Sequence, residues 1–346
     1  MKDKRLFLTG LVRFGLLSAG VLASALILSA ADRQKVNLGT LAPRGSIYHQ
    51  ALQSMGEQWR EAPGVEVLLN IHTDGRLGGE ADMVRLMRNG TLQAGLFTAV
   101  GLSEIEPGVA GLQSFPMAFR DLAEVDYINE KLGPMLEERL AARGFVVLFW
   151  LDAGWVRYFS TVPLAGPEDM KRMKTFVWAG NPDQVDMMRK AGYKPVALET
   201  ADIGSALRTG LIEVVPSPPI FALATQIYRP APHMLELNWA PLVGAAIVRK
   251  DVWDGLAPEA RDYLRSVAKE SGLKIKARSR QESSEAVAAM QERGLVVHAV
   301  SPEMETQWRA AAEVLYPEIR GTLVPADIFD EVLRLLKDYR EGSAIR

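Results

Sequence analysis

The chain has 346 residues, 48% hydrophobic and 24% charged, enough apolar material for two domains with a core and too much for a disordered polymer. Its formal net charge of −2, with basic residues scattered beyond the N-terminus, offers no field to hold a nucleic acid or an anionic membrane. The absence of cysteine excludes disulfides, thiolate chemistry, cysteine metal sites and a lipid-modified cysteine anchor.

In chain order, MKDKRLFLTGLVR is basic, and an uncharged run follows from Phe14 to Ala31, with the small residues Ser29 and Ala31 set for cleavage before Asp32. This predicts a secretory signal over residues 1–31; the alternative is an uncleaved membrane anchor. Ser46 then caps a helix with the stripe Ile47, Ala51, Met55 and Trp59, spaced by four. VEVLLNIHT reads as a strand with Val65, Val67, Leu69 and Ile71 on one face. GGEADMVRLMRNG is a short helix stopped by Gly90, and QAGLFTAV a buried strand. LGPMLEERLAARG is a helix ending at Gly144, followed by the strand FVVLFWL.

The rhythm then repeats. WVRYFSTV and KTFVW read as strands, NPDQVDMMRKAG as a helix capped by Asn181 with Pro182 at its first position, and TADIGSALRTG as a helix entering the strand LIEVV. Beyond Pro258 a polar run predicts one long or broken helix, then a short strand, VVHAV, and two further helices. Alternating β and α elements predict an α/β fold with mostly parallel sheets covered by helices. Two clusters, Asn37–Trp155 and Val156–Val243, predict two domains that share strands or a hinge. A ligand is expected at the carboxyl ends of strands, between them.

Catalytic signatures are absent. There is no P-loop, G-x-G-x-x-G, G-x-S-x-G or H-E-x-x-H, and His49, His72, His233 and His298 lie far apart in sequence. RLGGEAD is glycine-rich, but Glu80 and Asp82 argue against a phosphate there. Asp152, Glu168, Asp169 and Asp183 read as caps and surface charge before they read as acid and base. What stands out is aromatic: Trp150, Trp155, Tyr158, Phe159, Phe176 and Trp178 fall on adjacent predicted strands, a core that can also line a cleft. IEVVPSPPIFA is the other unusual stretch. Its three prolines exclude a helix interior or a central strand and leave a rigid turn or a pocket wall.

LAPRGSIYHQAL, DGRLGGEADMVRLMRNGTLQAGLFTAVGL and LQSFPMAFRDLAEVD resemble the first domain of TRAP transporter solute receptors of the dicarboxylate-receptor (DctP-like) type. DMKRMKTFVW, ADIGSALRTGLIEVVPSPP and VRKDVWDGLAPEARDYL are similar to the second half of that family. The resemblance implies a two-domain periplasmic binding protein, each domain a mixed sheet flanked by helices, with crossing strands and a long domain-spanning helix. Its domains would be residues 36–155 plus roughly 244–275, and 156–243 plus roughly 276–340. It also implies capture of a solute in the periplasm, delivery to a TRAP membrane permease, no enzymatic activity, and neither cofactor nor metal.

The departures from the family pattern bear on the ligand. Where the family places a carboxylate-gripping arginine after D-x-K-G-x-K, DMKRMKTFV carries Phe176. Where the family ends V-D-G-Q-E-N-P, this chain reads I-E-V-V-P-S-P, with Pro216 and Ser217 at the acidic and amide positions. A further basic position of the family falls at Val156, with Arg157 one place along and so turned to the other face of a strand. These departures point to a pocket of Phe176, Trp178, Trp155, Ser217, Pro218 and Phe221 from the second domain, with Tyr48, Phe97 and Phe115 from the first. Such a pocket suits an apolar or weakly polar ligand and resembles a branch of the family that works with a periplasmic tetratricopeptide-repeat partner. The alternative is an organic-acid receptor whose cation has moved to Arg44 or Arg157.

Overall fold

The computed structural model describes residues 32–344; the predicted signal over 1–31 lies outside the described residues. The first lobe is built from β1 (Asp32–Thr40), α1 (Ile47–Trp59), β2 (Val65–His72), α2 (Glu80–Arg88), β3 (Ala94–Thr98) and α3 (Ala99–Ser103). Helix α4 (Leu122–Ala142) leads into the long strand β4 (Phe145–Ser160). The second lobe follows as α5 (Pro167–Arg172), β5 (Lys174–Trp178), α6 (Pro182–Lys190), β6 (Lys194–Leu198), α7 (Ile203–Arg208), β7 (Val214–Ser217) and α8 (Pro219–Ala224). Strand β8 (His233–Arg249) runs back to the first lobe, followed by α9 (Lys250–Asp254), α10 (Pro258–Gln291) and β9 (Val296–His298). Helices α11 (Pro302–Glu313), α12 (Tyr316–Ile319) and α13 (Ala326–Ala344) complete the described chain. No helix among the described residues is long and apolar enough to cross a membrane.

Local signals explain most of these boundaries. Ser46 accepts a hydrogen bond from the His49 amide at 3.4 Å, and Asp121 accepts one from Glu124 at 2.9 Å, so α1 and α4 begin on side-chain caps. Gly90 and Gly144 adopt φ of +85° and +90°, the left-handed geometry that ends α2 and α4.

The strands form one sheet in the order β2-β1-β3-β8-β4-β7-β5-β6, with β9 on β8. The sheet is mixed, as the family resemblance implies, where the α/β rhythm alone predicts mostly parallel pairing. β1 runs parallel to β2 and β3, and β5 parallel to β6 and β7, but β4 and β8 are antiparallel to each other and to the strands beside them in that order. The cause is connectivity: β4 and β8 carry the chain between lobes, and each return reverses direction. FVVLFWL and WVRYFSTV, read as two strands, are one strand of 16 residues. The boundary expected at Trp155–Val156 therefore falls inside β4.

Helix α10 is unbroken over 34 residues and packs on both lobes. Leu264, Val267 and Ile275 join the first-lobe core with Leu52, Met55 and Trp59, while Met290 joins Phe159, Phe176 and Met234 in the second. Trp59 Nε1 donates to the Leu264 carbonyl at 3.2 Å, fixing α1 against α10. Three helices rather than two follow β9. The helix expected at LGPMLEERLAARG begins earlier, at Leu122, and holds Pro134 in its interior.

Pro216 corrects a further expectation, because it lies within β7, between β4 and β5 in the sheet. It pairs with Tyr158 on the β4 side, whereas β7 meets β5 only at Val214. Beyond Val214 the β5-facing edge is unladdered, so a residue without an N–H is tolerated there. Pro219 occupies the first turn of α8, where its missing N–H costs nothing.

Candidate ligand-binding site

The carboxyl ends of β1, β3, β5 and β7 meet the middle of β4 and β8 around a cavity of about 110 Å³. Its walls are Phe176 and Trp178 of β5, Val215 to Pro218 at the end of β7, Ile220 and Phe221 of α8, Phe97 and Thr98 of β3, and Tyr48 of α1. Thr40 to Pro43, Glu80, Leu96, Leu151, Ala153, Thr200, Ile203 and the β8 segment Leu242–Gly244 complete it. An apolar cavity of about 150 Å³ holds benzene, so the space suits a compact molecule.

Close backbone packing shapes the floor. The ring of Phe97 lies over Gly95, where a Cβ would come within 2.2 Å of Cζ. At Gly244 a Cβ would meet the Phe97 carbonyl oxygen at 2.4 Å. Gly95 makes room for the phenyl ring, and Gly244 lets the backbones of β3 and β8 approach closely. Phe176 and Trp178 meet edge to face, with centroids 5.4 Å apart, and Trp178 Nε1 donates to Thr200 Oγ1 at 3.1 Å.

The polar groups at the wall are mostly engaged within the protein. Ser217 Oγ donates to the Pro218 carbonyl at 3.2 Å, and Thr40 Oγ1 accepts from the Ala42 amide. Tyr48 Oη is buried beside Ser279 of α10 without a well-formed hydrogen bond; burial pushes its pKa well above the usual tyrosine range. Glu80 is the one ionisable carboxylate of the lining. It accepts from Thr98 N at 2.7 Å, Thr98 Oγ1 at 2.6 Å and Gly101 N at 2.9 Å, tying α2 to β3 and α3. Burial raises its pKa, and those three hydrogen bonds oppose the rise. Among the described residues no Lys, Arg or His lines the cavity, and no group of three or more His, Asp or Glu converges as a metal would need.

Of the residues singled out in the sequence, Tyr48, Phe97, Phe176, Trp178, Ser217, Pro218 and Phe221 come together at this cavity. The others lie elsewhere. Phe115 is core, stacked on Phe329 at 4.7 Å and edge-on to Phe119 and Tyr316. Arg44 is exposed, its amide bonded to Asp74 Oδ1 at 2.9 Å. Trp155 and Arg157 line a second cavity of about 270 Å³, with Leu122, Gly154, Pro219, Glu236, Arg280, Ser283, Ser284 and Val287. Glu80, Thr98, Leu151 and Ile203 were missed as wall residues. Thr98 stands at a strand's carboxyl end, the position at which α/β ligands gather, and that rule alone would have found it.

Beside the second cavity lies a partly buried ion network. Asp152, fully buried on β4, accepts from Arg280 Nε and Nη2 at 3.1 and 2.6 Å, and Arg280 also grips Asp126 at 2.9 and 2.6 Å. Ser279 Oγ donates to the Asp152 carbonyl at 2.7 Å. Asp152, weighed in the sequence as an acid or base, is thus a structural ion pinning α10 to the crossing strand. His233 and His298, 65 positions apart, meet with Nδ1 and Nε2 separated by 3.0 Å, a pairing that sequence distance concealed.

Residues 38–321 match the family model described as bacterial extracellular solute-binding protein, family 7. The chain is 26% identical over 233 residues to the C4-dicarboxylate-binding periplasmic protein DctP of Rhodobacter capsulatus, covering 65% of this chain and 69% of that one. It is 24% identical to the 2,3-diketo-L-gulonate-binding periplasmic protein YiaO of Escherichia coli K12, over 83% of this chain and 87% of that one. Among solved structures, a TRAP periplasmic solute binding protein of Xanthobacter autotrophicus Py2 with bound β-D-galacturonate superposes with a TM-score of 0.79 at 20% identity, over 87% of this chain and 99% of that one. A second, from Ralstonia eutropha H16 with bound (S)-2-acetolactate, gives 0.81 at 17% identity, over 88% and 99%. At these identities the structural likeness establishes the fold.

Proposed function

The chain belongs to bacterial extracellular solute-binding protein family 7, and we propose that the solute it receives is a small, uncharged, largely apolar organic molecule held between Phe176 and Phe221. A TRAP-type membrane permease as partner and a periplasmic location both fit the family. The observation that carries the ligand reading is the lining: aromatic and aliphatic groups, no cation among the described residues, and one carboxylate, Glu80, already at the wall.

The energetics run in the same direction. Burying about 300 Å² of apolar ligand surface returns roughly 7 kcal/mol at ~25 cal/mol/Å², enough for micromolar binding before ordering costs. A carboxylate placed there without a partner would cost several kcal/mol and would face Glu80 as well.

A second reading, an organic-acid receptor, is favoured by the relatives. Their bound or named ligands include galacturonate, acetolactate, C4-dicarboxylates and diketogulonate, and on that comparison it has the better support. It requires Arg157 or Arg44 to reach the ligand. Titration calorimetry with succinate and D-galacturonate separates the two. The apolar reading expects neither to bind in the Phe176 cleft, and saturable binding of one that Phe176→Ala abolishes would replace it with the acid reading. The apolar reading also brings with it a tetratricopeptide-repeat partner, to be sought by pull-down with the mature receptor.

A further inference from the structure

We propose that the second cavity, lined by Trp155 and Arg157, is a separate binding site for a small organic carboxylate with an apolar body. The proposal goes beyond the reading of the Phe176 cleft and does not depend on it.

Arg157 is mostly buried, with only 19% of its side chain exposed, yet it is poorly satisfied. Its Nε is buried without a hydrogen-bond partner. Its remaining contacts are long: Nη2 lies 3.5 Å from Asn238 Oδ1, and Nη1 lies 3.8 Å from Glu236 Oε1. A buried charged donor left unpaired costs more than an ordinary hydrogen bond returns. Burial lowers the Arg157 pKa, opposed by Glu236, but a guanidinium stays charged at neutral pH.

The surroundings fit a carboxylate carried on an apolar body. The planar fork of a guanidinium takes a carboxylate through two parallel hydrogen bonds. The hydroxyl of Ser283 makes no hydrogen bond among the described residues and lies beside Gly154 in the wall. Trp155, Leu122, Pro219 and Val287 supply apolar walls. Arg280 is not a second donor, because Asp126 and Asp152 take up its guanidinium. Glu236 is the competitor, but it is 51% exposed and free to swing into solvent, where so loose a pair is worth little.

The test is titration calorimetry, in a Phe176→Ala background that takes the first cleft out of play, with hexanoate and with its uncharged match, hexanamide. Hexanoate binds and hexanamide does not. Arg157→Gln weakens hexanoate by about 10- to 100-fold, the range of a single charge-assisted hydrogen bond, and Glu236→Gln tightens it by removing the competing carboxylate. Absence of hexanoate binding, equal binding of hexanamide, or weaker binding in Glu236→Gln would each overturn the proposal. The Glu236 variant keeps the test decisive if Arg157→Gln folds poorly. A carboxylate found in the Phe176 cleft would leave this site standing, and failure here would leave the cleft reading untouched.

Discussion

At Gly244 a single methyl group separates an open cavity from a disrupted sheet. The added Cβ would press on the Phe97 carbonyl oxygen at 2.4 Å, and backbone in the middle of a sheet cannot yield as a side-chain tip can. Gly244→Ala is expected to destabilise the protein by about 1–3 kcal/mol, the usual cost of overpacking, seen as a lower urea midpoint at unchanged m. Phe176 shows what was legible at this scale. Its place in the cleft followed from its motif and from the strand that carries it. The buried carboxylate of Glu80 did not, because its role depends on Thr98 and Gly101, which reach it only after α2 packs on β3. Phe115 was misplaced for a related reason: one aromatic residue in sequence does not say whether its neighbours will be a ligand or Phe329.

The elements of regular structure were largely readable, since capping residues, glycine stops and apolar period are local properties. Pairing direction was not, nor was the continuity of β4, which depends on β8 arriving from beyond residue 230. The short strand β9 gives an element-scale prediction. It lies parallel to β8 with Leu235 opposite His298, and His298 meets His233 across the pair at 3.0 Å. Burial, then the neighbouring His298, lowers the His233 pKa, so the unfolded chain binds that proton more readily than the folded one. The stabilisation is therefore full above the ordinary histidine value of about 6.5 and is lost as pH falls through and below it. Thermal unfolding followed from about pH 7.5 to about pH 5.5 should show a falling Tm. His233→Asn should flatten that fall; an unchanged pH dependence would mean that other groups carry it.

At the scale of the molecule, two crossing strands and α10 connect the lobes, and Asp152 pins them. Asp152→Ala removes one carboxylate from Arg280 and leaves the other, Asp126. It should cost about 3 kcal/mol, the lower end for breaking a buried pair, measured by urea denaturation; a loss under about 1 kcal/mol, the worth of a surface pair, would contradict the hinge-pin role. That the chain is a two-lobed receptor was legible from its α/β rhythm and family motifs. What fills it was not, because ligand chemistry lies in a few wall positions, and there the relatives and this cavity point in different directions. The most direct measurement is native mass spectrometry of the receptor purified from its own host, followed by denaturing extraction of whatever is bound. The cleft as described predicts a co-purifying uncharged molecule with a largely apolar body, lost from a Phe176→Ala variant. A small carboxylate that stays with Arg157→Gln but leaves Phe176→Ala would put an acid in the Phe176 cleft and contradict the account.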